Sequence, residues 1–290
     1  MKVLITGAGG FVGRVLASQL ISKGHEIVGL DVSDARIEGV HDWIRIEPSK
    51  PLDRALLPAE VDAVIHLAQS PSYRLGDIGE EDVFKTNIAM HSALLKYASE
   101  IGVKQFTSAS TGTVYEPFTN GMHEDDKVSP TGYYGASKYA AEVLANAYQN
   151  RMNICNIRPF FVYGPGQNDM LMARLVKNIS AGGPVNLPKT GEGLLFVPSY
   201  VDDVAYCFAK SIEDSWQGTI NVASPETVSF ETVLKTISSE LKKDLVLVRE
   251  GATPKTPIVP DLTKLSNLVD LKQFTTLAVG IKKTVQYSFS

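Results

Sequence analysis

Cysteine is nearly absent from this 290-residue chain. Cys155 and Cys207 have no Cys-x-x-Cys spacing and stand in apolar surroundings. They read as small buried side chains in a reducing compartment. A core of this size needs no disulfides. No apolar run reaches the roughly 18 residues of a membrane span. There is no basic run and the net charge is -4, which excludes nucleic acid as the expected partner. A signal peptide is also missing. A lone Lys2 leads into a short apolar run that a glycine turn ends at once, so a cytosolic protein is expected. The five histidines show no metal-ligand spacing. Internal repeats and low-complexity segments are absent.

What remains has an ordinary globular composition, 44% apolar and 21% charged. The first half alternates short apolar strands with amphipathic helices. Strands are expected at Val3–Ile5, Ile27–Leu30, Val61–Leu67, Val103–Thr107 and Ile154–Ile157. Helices are expected over 11–23, 80–101 and 133–150. This pattern predicts an α/β fold, a doubly wound parallel sheet covered on both faces. After Pro159 the elements shorten and Gly and Pro become frequent. Residues 1–160 are therefore expected to form a dinucleotide-binding Rossmann domain, with 200–223 returning to its sheet. Residues 161–199 and 224–290 are expected to form a smaller substrate-binding lobe over the sheet's carboxyl edge, where ligands bind in open α/β sheets.

The first strand runs into Thr6-Gly7-Ala8-Gly9-Gly10-Phe11-Val12-Gly13. Gly7 allows a sharp turn, Gly10 leaves room for a pyrophosphate, and Gly13 lets the helix pack close to the sheet. The pyrophosphate would sit at the helix N-terminus, at Phe11 and Val12, facing free N–H groups. Asp31 ends the second strand, 18 residues past Gly13. A carboxylate there accepts both ribose hydroxyls and repels a 2′-phosphate, which favours NAD over NADP; Arg36 is the nearest arginine.

Tyr134 and Lys138 stand four apart on an expected helix and share a face. An ammonium beside a phenol favours the phenolate, which would make Tyr134 a general base near neutral pH. Tyr133 competes, but its spacing of five to Lys138 points off that face. Thr111, just past the strand that ends at Thr107, offers a hydroxyl for the substrate oxygen, with Ser110 as the alternative donor.

In this order and at these distances, the motifs resemble those of the extended short-chain dehydrogenase/reductases, specifically the NAD-dependent epimerase/dehydratase branch. Further segments are similar to family segments: His66-Leu67-Ala68, Asn87, the run Arg158-Pro159-Phe160-Phe161-Val162-Tyr163-Gly164-Pro165-Gly166-Gln167, Tyr200-Val201-Asp202-Asp203, and Asp261-Leu262-Thr263-Lys264. The resemblance covers most of the chain. It implies a cofactor site that also includes Leu67, Ala68, Asn87 and Pro159. It also implies a nucleotide-linked sugar as substrate. Tyr134 would take a proton from a sugar hydroxyl, Lys138 would bind the nicotinamide ribose, and Thr111 would steady the oxygen that becomes a ketone. Family members commonly dimerise through the helix pair matching 80–101 and 133–150, with Ala140, Val143, Leu144 and Ala147 serving that face or the core.

Three departures bear on the substrate and the cofactor pocket. The dehydratase and decarboxylase branches carry acids just after the catalytic threonine, where this chain has Gly112 and Thr113. An NAD-dependent epimerase is therefore expected, with a net NAD(P)-dependent dehydrogenase or carbonyl reductase, or a sugar-nucleotide dehydratase, as the alternative and a non-catalytic NAD-binding regulator as the weakest reading. The family's diphosphate-binding arginine falls at Phe196, with Val197 beside it. Phenylalanine cannot hold phosphate bidentately. Either Arg174, Lys177, Arg249 or Lys255 takes over, or the substrate is not the usual sugar nucleotide. Ile46-Glu47-Pro48 also departs from the family pattern near the adenine. Asp202-Asp203 reads as a helix N-terminus rather than a paired-acid site.

Overall fold

The computed structural model describes every residue except 35, 36, 48, 49, 253–255 and 290, and of Arg74 and Asp77 only the backbone. Arg36, Pro48 and Lys255 thus lie outside the described residues. The chain divides into two compact units. The first comprises Met1–Pro117, Lys127–Pro159 and Ala205–Ile220; the second comprises Phe118–Asp126, Phe160–Val204 and Asn221–Ser290.

The first unit is built on β1 (Lys2–Thr6), β2 (Glu26–Asp31), β3 (Asp42–Arg45), β4 (Ala63–His66), β5 (Gln105–Ala109) and β6 (Asn153–Pro159). These pair in parallel. With the strand Gly218–Val222 at the edge beside β6, the seven-stranded order is Gly218–Val222, β6, β5, β4, β1, β2, β3. The order reverses at β1, the switch point of a doubly wound sheet. The expected α/β architecture is the one observed. Helix α1 (Phe11–Ser22) buries Leu16 and Leu20 of the apolar face expected from Phe11, Val12, Val15, Leu16 and Leu20, together with Ala17, while Phe11, Val12 and Val15 are half-buried. It stops where Gly24 adopts φ +80° and donates its N–H to the Ile21 carbonyl at 2.9 Å.

The long helix expected over 80–101 is interrupted. It comprises α2 (Glu80–Phe84), a π-helical turn at Lys85–Met90, and α3 (His91–Glu100). The wide turn buries Asn87, whose amide donates to Ser137 Oγ at 2.9 Å. A π turn has no hydrophobic period of its own, so the residue spacing could not reveal it. Helix α4 (Tyr133–Asn146) is shorter than the expected 133–150. Of the residues that could have served core or interface, Val143 is 53% exposed and Leu144 36%, and Ala140 and Ala147 are exposed as well. All four therefore stand outside the core.

Residues 118–126 depart from the expected division, since they belong to the second unit. Met122 bridges to Pro260, and Glu124 Oε1 accepts the Asn221 N–H at 2.8 Å. These partners are distant in sequence, which is why local pattern missed them. The second unit packs Tyr163, Met172, Val176, Phe196, Tyr200, Val233, Leu234 and Ile281 into a core of its own. Both cysteines are buried and neither is in a disulfide, and burial pushes the Cys155 thiol up to about 12. No helix among the described residues is long and apolar enough to cross a membrane.

Two histidines lie beneath the carboxyl end of the sheet. His66 Nδ1 pairs with Thr6 Oγ1 at 2.6 Å, and the His91 ring lies 5.2 Å from the His66 ring. Burial lowers His66 well below the ordinary value and His91 to about 3, and Lys138 adds repulsion to both. The folded state refuses protons that the unfolded chain accepts below about pH 6.5, so stability is lost on acidification from there toward 3. The slope is up to about 1.4 kcal/mol per pH unit for each ring. The urea midpoint is expected to fall between pH 7 and 5, and His91→Leu to flatten that fall. An equally steep fall in the variant would contradict this account.

Candidate active site

The glycine turn folds as a cradle. Gly7 takes φ +69° and donates to the Leu30 carbonyl at 2.8 Å. A Cβ there would lie 2.8 Å from the Ala68 backbone nitrogen, so the turn packs directly on the segment after β4. At Gly13 a Cβ would fall 2.0 Å from the Gly7 carbonyl oxygen, which no side chain permits. Gly10 is the N-cap of α1 without a side-chain hydrogen bond among the described residues, and the first turn carries no acid. Its N–H groups and dipole are thus open to an anion.

Asp31, 9% exposed, is held at both oxygens: Oδ2 accepts the Gly9 N–H at 2.9 Å and Oδ1 the Ser33 N–H at 2.9 Å. Each oxygen keeps a lone pair for a ribose hydroxyl. Gly9 is the one glycine of the turn to which the spacing assigns no role. A Cβ there would approach Ser33 Oγ to 2.8 Å and the Asp31 carboxyl to 3.3 Å. These features fit a dinucleotide. Asp31→Asn, which keeps shape but loses charge, is expected to weaken NAD about tenfold and to tighten NADP. Calorimetric titration of both cofactors reads this. Unchanged NAD affinity would remove the carboxylate from the ribose.

The hydroxyl cluster sorts itself along an extended backbone. Thr111 (φ −161°, ψ 149°) caps the short 3₁₀ turn Gly112–Tyr115, accepting the Thr113 N–H at 3.2 Å, and its side chain hydrogen-bonds Tyr134. Ser110 faces the other way, donating a very short hydrogen bond to Glu142 Oε1. Arg158 clamps that carboxylate with Nε to Oε1 at 2.9 Å and Nη2 to Oε2 at 2.6 Å, while its Nη1 donates to the Tyr115 hydroxyl at 2.7 Å. Arg158 and Glu142 are both buried, and the pair ties β6, α4 and the end of β5 together.

The expected action of Lys138 on Tyr134 is not what the structure has. Lys138 Nζ donates to the Ala109 carbonyl at 3.0 Å, and burial lowers its own pKa to about 8. Burial pushes the Tyr134 phenol up to about 12. The Thr111 hydrogen bond opposes this, and Tyr73, stacked on it at 4.7 Å, adds to it. The free protein thus holds Tyr134 protonated at neutral pH. Tyr133 is 41% exposed. Asn87 braces the same turn of α4, since Ser137 Oγ in turn donates to the Tyr134 carbonyl at 2.8 Å. Leu67, Ala68 and Pro159 are half-buried at the carboxyl ends of β4 and β6.

In the second unit, Phe196 is buried where the resemblance implies an arginine. Arg249 is committed: Nη2 meets Glu231 at 2.9 Å and Nη1 the Gly191 carbonyl at 3.1 Å. Arg174 and Lys177 are exposed on the helix Leu171–Ser180. Asp202 and Asp203 stand in the first turn of the helix Val201–Glu213, and Asp203 accepts both the N–H and hydroxyl of Thr275. His123, Glu124 and Asp261 bring ligand atoms within 4.8 Å of one another, a grouping that spacing did not suggest. Each has a backbone partner: His123 Nδ1 accepts from Asp125, Glu124 from Asn221, and Asp261 from Thr263.

Comparison with known proteins agrees with this geometry. Residues 3–223 match the model of the NAD dependent epimerase/dehydratase family. UDP-glucuronate 4-epimerase of Thermodesulfobacterium geofontis is 27% identical over 311 residues, covering 98% of this chain and 95% of that protein. The solved structure of UDP-glucuronic acid 4-epimerase from Bacillus cereus in complex with NAD superposes with a TM-score of 0.86 at 25% identity, covering 99% of this chain and 98% of that one. UDP-glucose 4-epimerase of Thermus thermophilus in complex with NAD gives 0.81 at 25%, covering 99% and 98%. The chain belongs to the NAD dependent epimerase/dehydratase family, and its cofactor is NAD.

Proposed function

We propose that the chain is an NAD-dependent epimerase that inverts one hydroxyl-bearing carbon of a sugar through a transient ketone. The placement of Thr111, Tyr134 and Lys138 in the unit that carries the glycine turn and Asp31, with Lys138 Nζ on the Ala109 carbonyl and Ser137 bracing the Tyr134 carbonyl, supports this reading best. Bound NAD supplies the acceptor, and then the donor, of the carbon-bound hydrogen. Tyr134 Oη, in the phenolate form that is the minor species at neutral pH in the free protein, takes the hydroxyl proton and later returns it. Thr111 Oγ1 holds the same substrate oxygen. Lys138, fixed on the Ala109 carbonyl, adds positive charge close to the cofactor ribose, and Asp31 binds the distal ribose. The Gly7–Gly13 turn receives the pyrophosphate, with Phe11 and Val12 offering backbone N–H groups and Leu67, Ala68, Asn87 and Pro159 walling the pocket.

The relatives act on UDP-linked sugars, so UDP-glucose and UDP-glucuronate are the first substrates to assay. Interconversion of epimers without growth of NADH absorbance is expected. Steady NADH accumulation would favour a net dehydrogenase, the second reading. A homodimer joined through the exposed Val143–Leu144 face of α4 belongs to the proposal. Val143→Glu is expected to halve the mass by light scattering, and an unchanged mass would place the interface elsewhere.

A further inference from the structure

Tyr134 carries a second aromatic ring on its face. Tyr73, half-buried, lies stacked on it with 4.7 Å between centroids and 29° between planes. That is the close end of the range for offset-stacked rings, about 4.5–7 Å. Both residues belong to the first unit. Tyr73 stands in the segment Pro71–Gly79, which follows β4 and runs into α2. The backbone beside it is tied down. Ser72 donates its N–H to Ser70 Oγ at 3.1 Å and its hydroxyl to Asp82 Oδ2 at 2.9 Å. Gly79 returns so close that a Cβ there would lie 1.9 Å from the Ser72 carbonyl oxygen. The segment is therefore folded back on itself and anchored to α2, with the Tyr73 ring laid against α4.

Ser137 donates to the Tyr134 carbonyl at 2.8 Å, which fixes the backbone but leaves the side-chain torsions free. What lies against the ring decides them. A ring on that face also keeps water from the phenolate and so favours the neutral phenol. Burial is the largest influence on Tyr134, and Tyr73 adds to it. A phenolate short of water is a stronger base, and a ring held in one direction keeps its oxygen aimed at one substrate atom. We propose that Tyr73 is a positioning residue of the active site, its ring covering one face of Tyr134 so that the phenol keeps a single direction and stays shut off from water. This deepens the reading above and rests on it for the role of Tyr134 alone.

The phenol itself can be read without turnover. In NAD-loaded protein carrying tyrosine labelled at Cζ for NMR, the Tyr134 signal is assigned by its loss in Tyr134→Phe. Its ionisation curve is expected to lie at least about half a pH unit lower in Tyr73→Ala than in wild type. Tyr73→Phe, which keeps the ring, should stay close to wild type. Tyr73→Ser serves as the second uncovering variant, and circular dichroism with NAD retention checks the fold of each. With UDP-glucose or UDP-glucuronate as substrate, the rising limb of the pH–rate profile should move to lower pH by a similar amount in Tyr73→Ala and stay in place in Tyr73→Phe. An unchanged ionisation curve in the folded alanine or serine variant, or a Tyr73→Phe curve that follows Tyr73→Ala, would overturn the proposal. The expected curves without turnover of either sugar would uphold the cover and count against the epimerase reading alone.

Discussion

Tyr134→Phe is expected to lower turnover by about 10²–10⁴-fold, the range for losing a positioned general acid–base, while NAD still binds. The phenol is the group hydrogen-bonded by Thr111, and the cofactor cradle lies on other residues. Steady-state rates and a cofactor titration on one preparation separate the two effects. The pH profile adds a sign. With the phenol pushed up to about 12 in the free protein, proton removal from substrate should quicken as pH rises from 6 to 9, because the small phenolate fraction grows while the phenol stays in large excess. Full activity in the phenylalanine variant would remove Tyr134 from the chemistry.

Arg158→Met is expected to cost about 3–5 kcal/mol, because it leaves the Glu142 carboxylate buried without its cation. That corresponds to a fall in Tm of roughly 10 °C. The double variant Arg158→Met, Glu142→Leu should regain much of the loss, since no buried charge is then stranded. Thermal unfolding of the two singles and the double gives the coupling. Singles no less stable than wild type would show that the pair contributes little. The Ser110 hydroxyl also bonds Glu142, so the singles should loosen the backbone that carries Thr111.

The parts of the site that a local spacing encodes were legible in the sequence. The glycine turn and Asp31 lie within one strand-helix-strand unit, and the strand alternation implied the sheet that presents them. The choice between Ser110 and Thr111 was not legible. Neighbouring residues of an extended chain point to opposite sides, and only the position of α4 decides which side holds the tyrosine. The Glu142–Arg158 clamp was missed although a signal existed: Tyr134, Lys138 and Glu142 recur at intervals of four, which sets all three along one stripe of α4. The effect of Lys138 on Tyr134 was misread because spacing reports a shared face but not a hydrogen-bond partner. The carbonyl that takes the ammonium belongs to β5, distant in sequence. The membership of 118–126 in the second unit likewise depends on partners near 221 and 260.

The central claim is that one carbon-bound hydrogen leaves the sugar and returns to the same carbon while Tyr134 handles the proton. A sugar deuterated at the inverting carbon, turned over in ordinary water and examined by mass spectrometry and NMR, tests this most directly. The account predicts that the epimeric product keeps its deuterium at that carbon and that Tyr134→Phe forms it about 10²–10⁴-fold more slowly. Deuterium lost to solvent, or retained only in accumulated reduced cofactor, would contradict it.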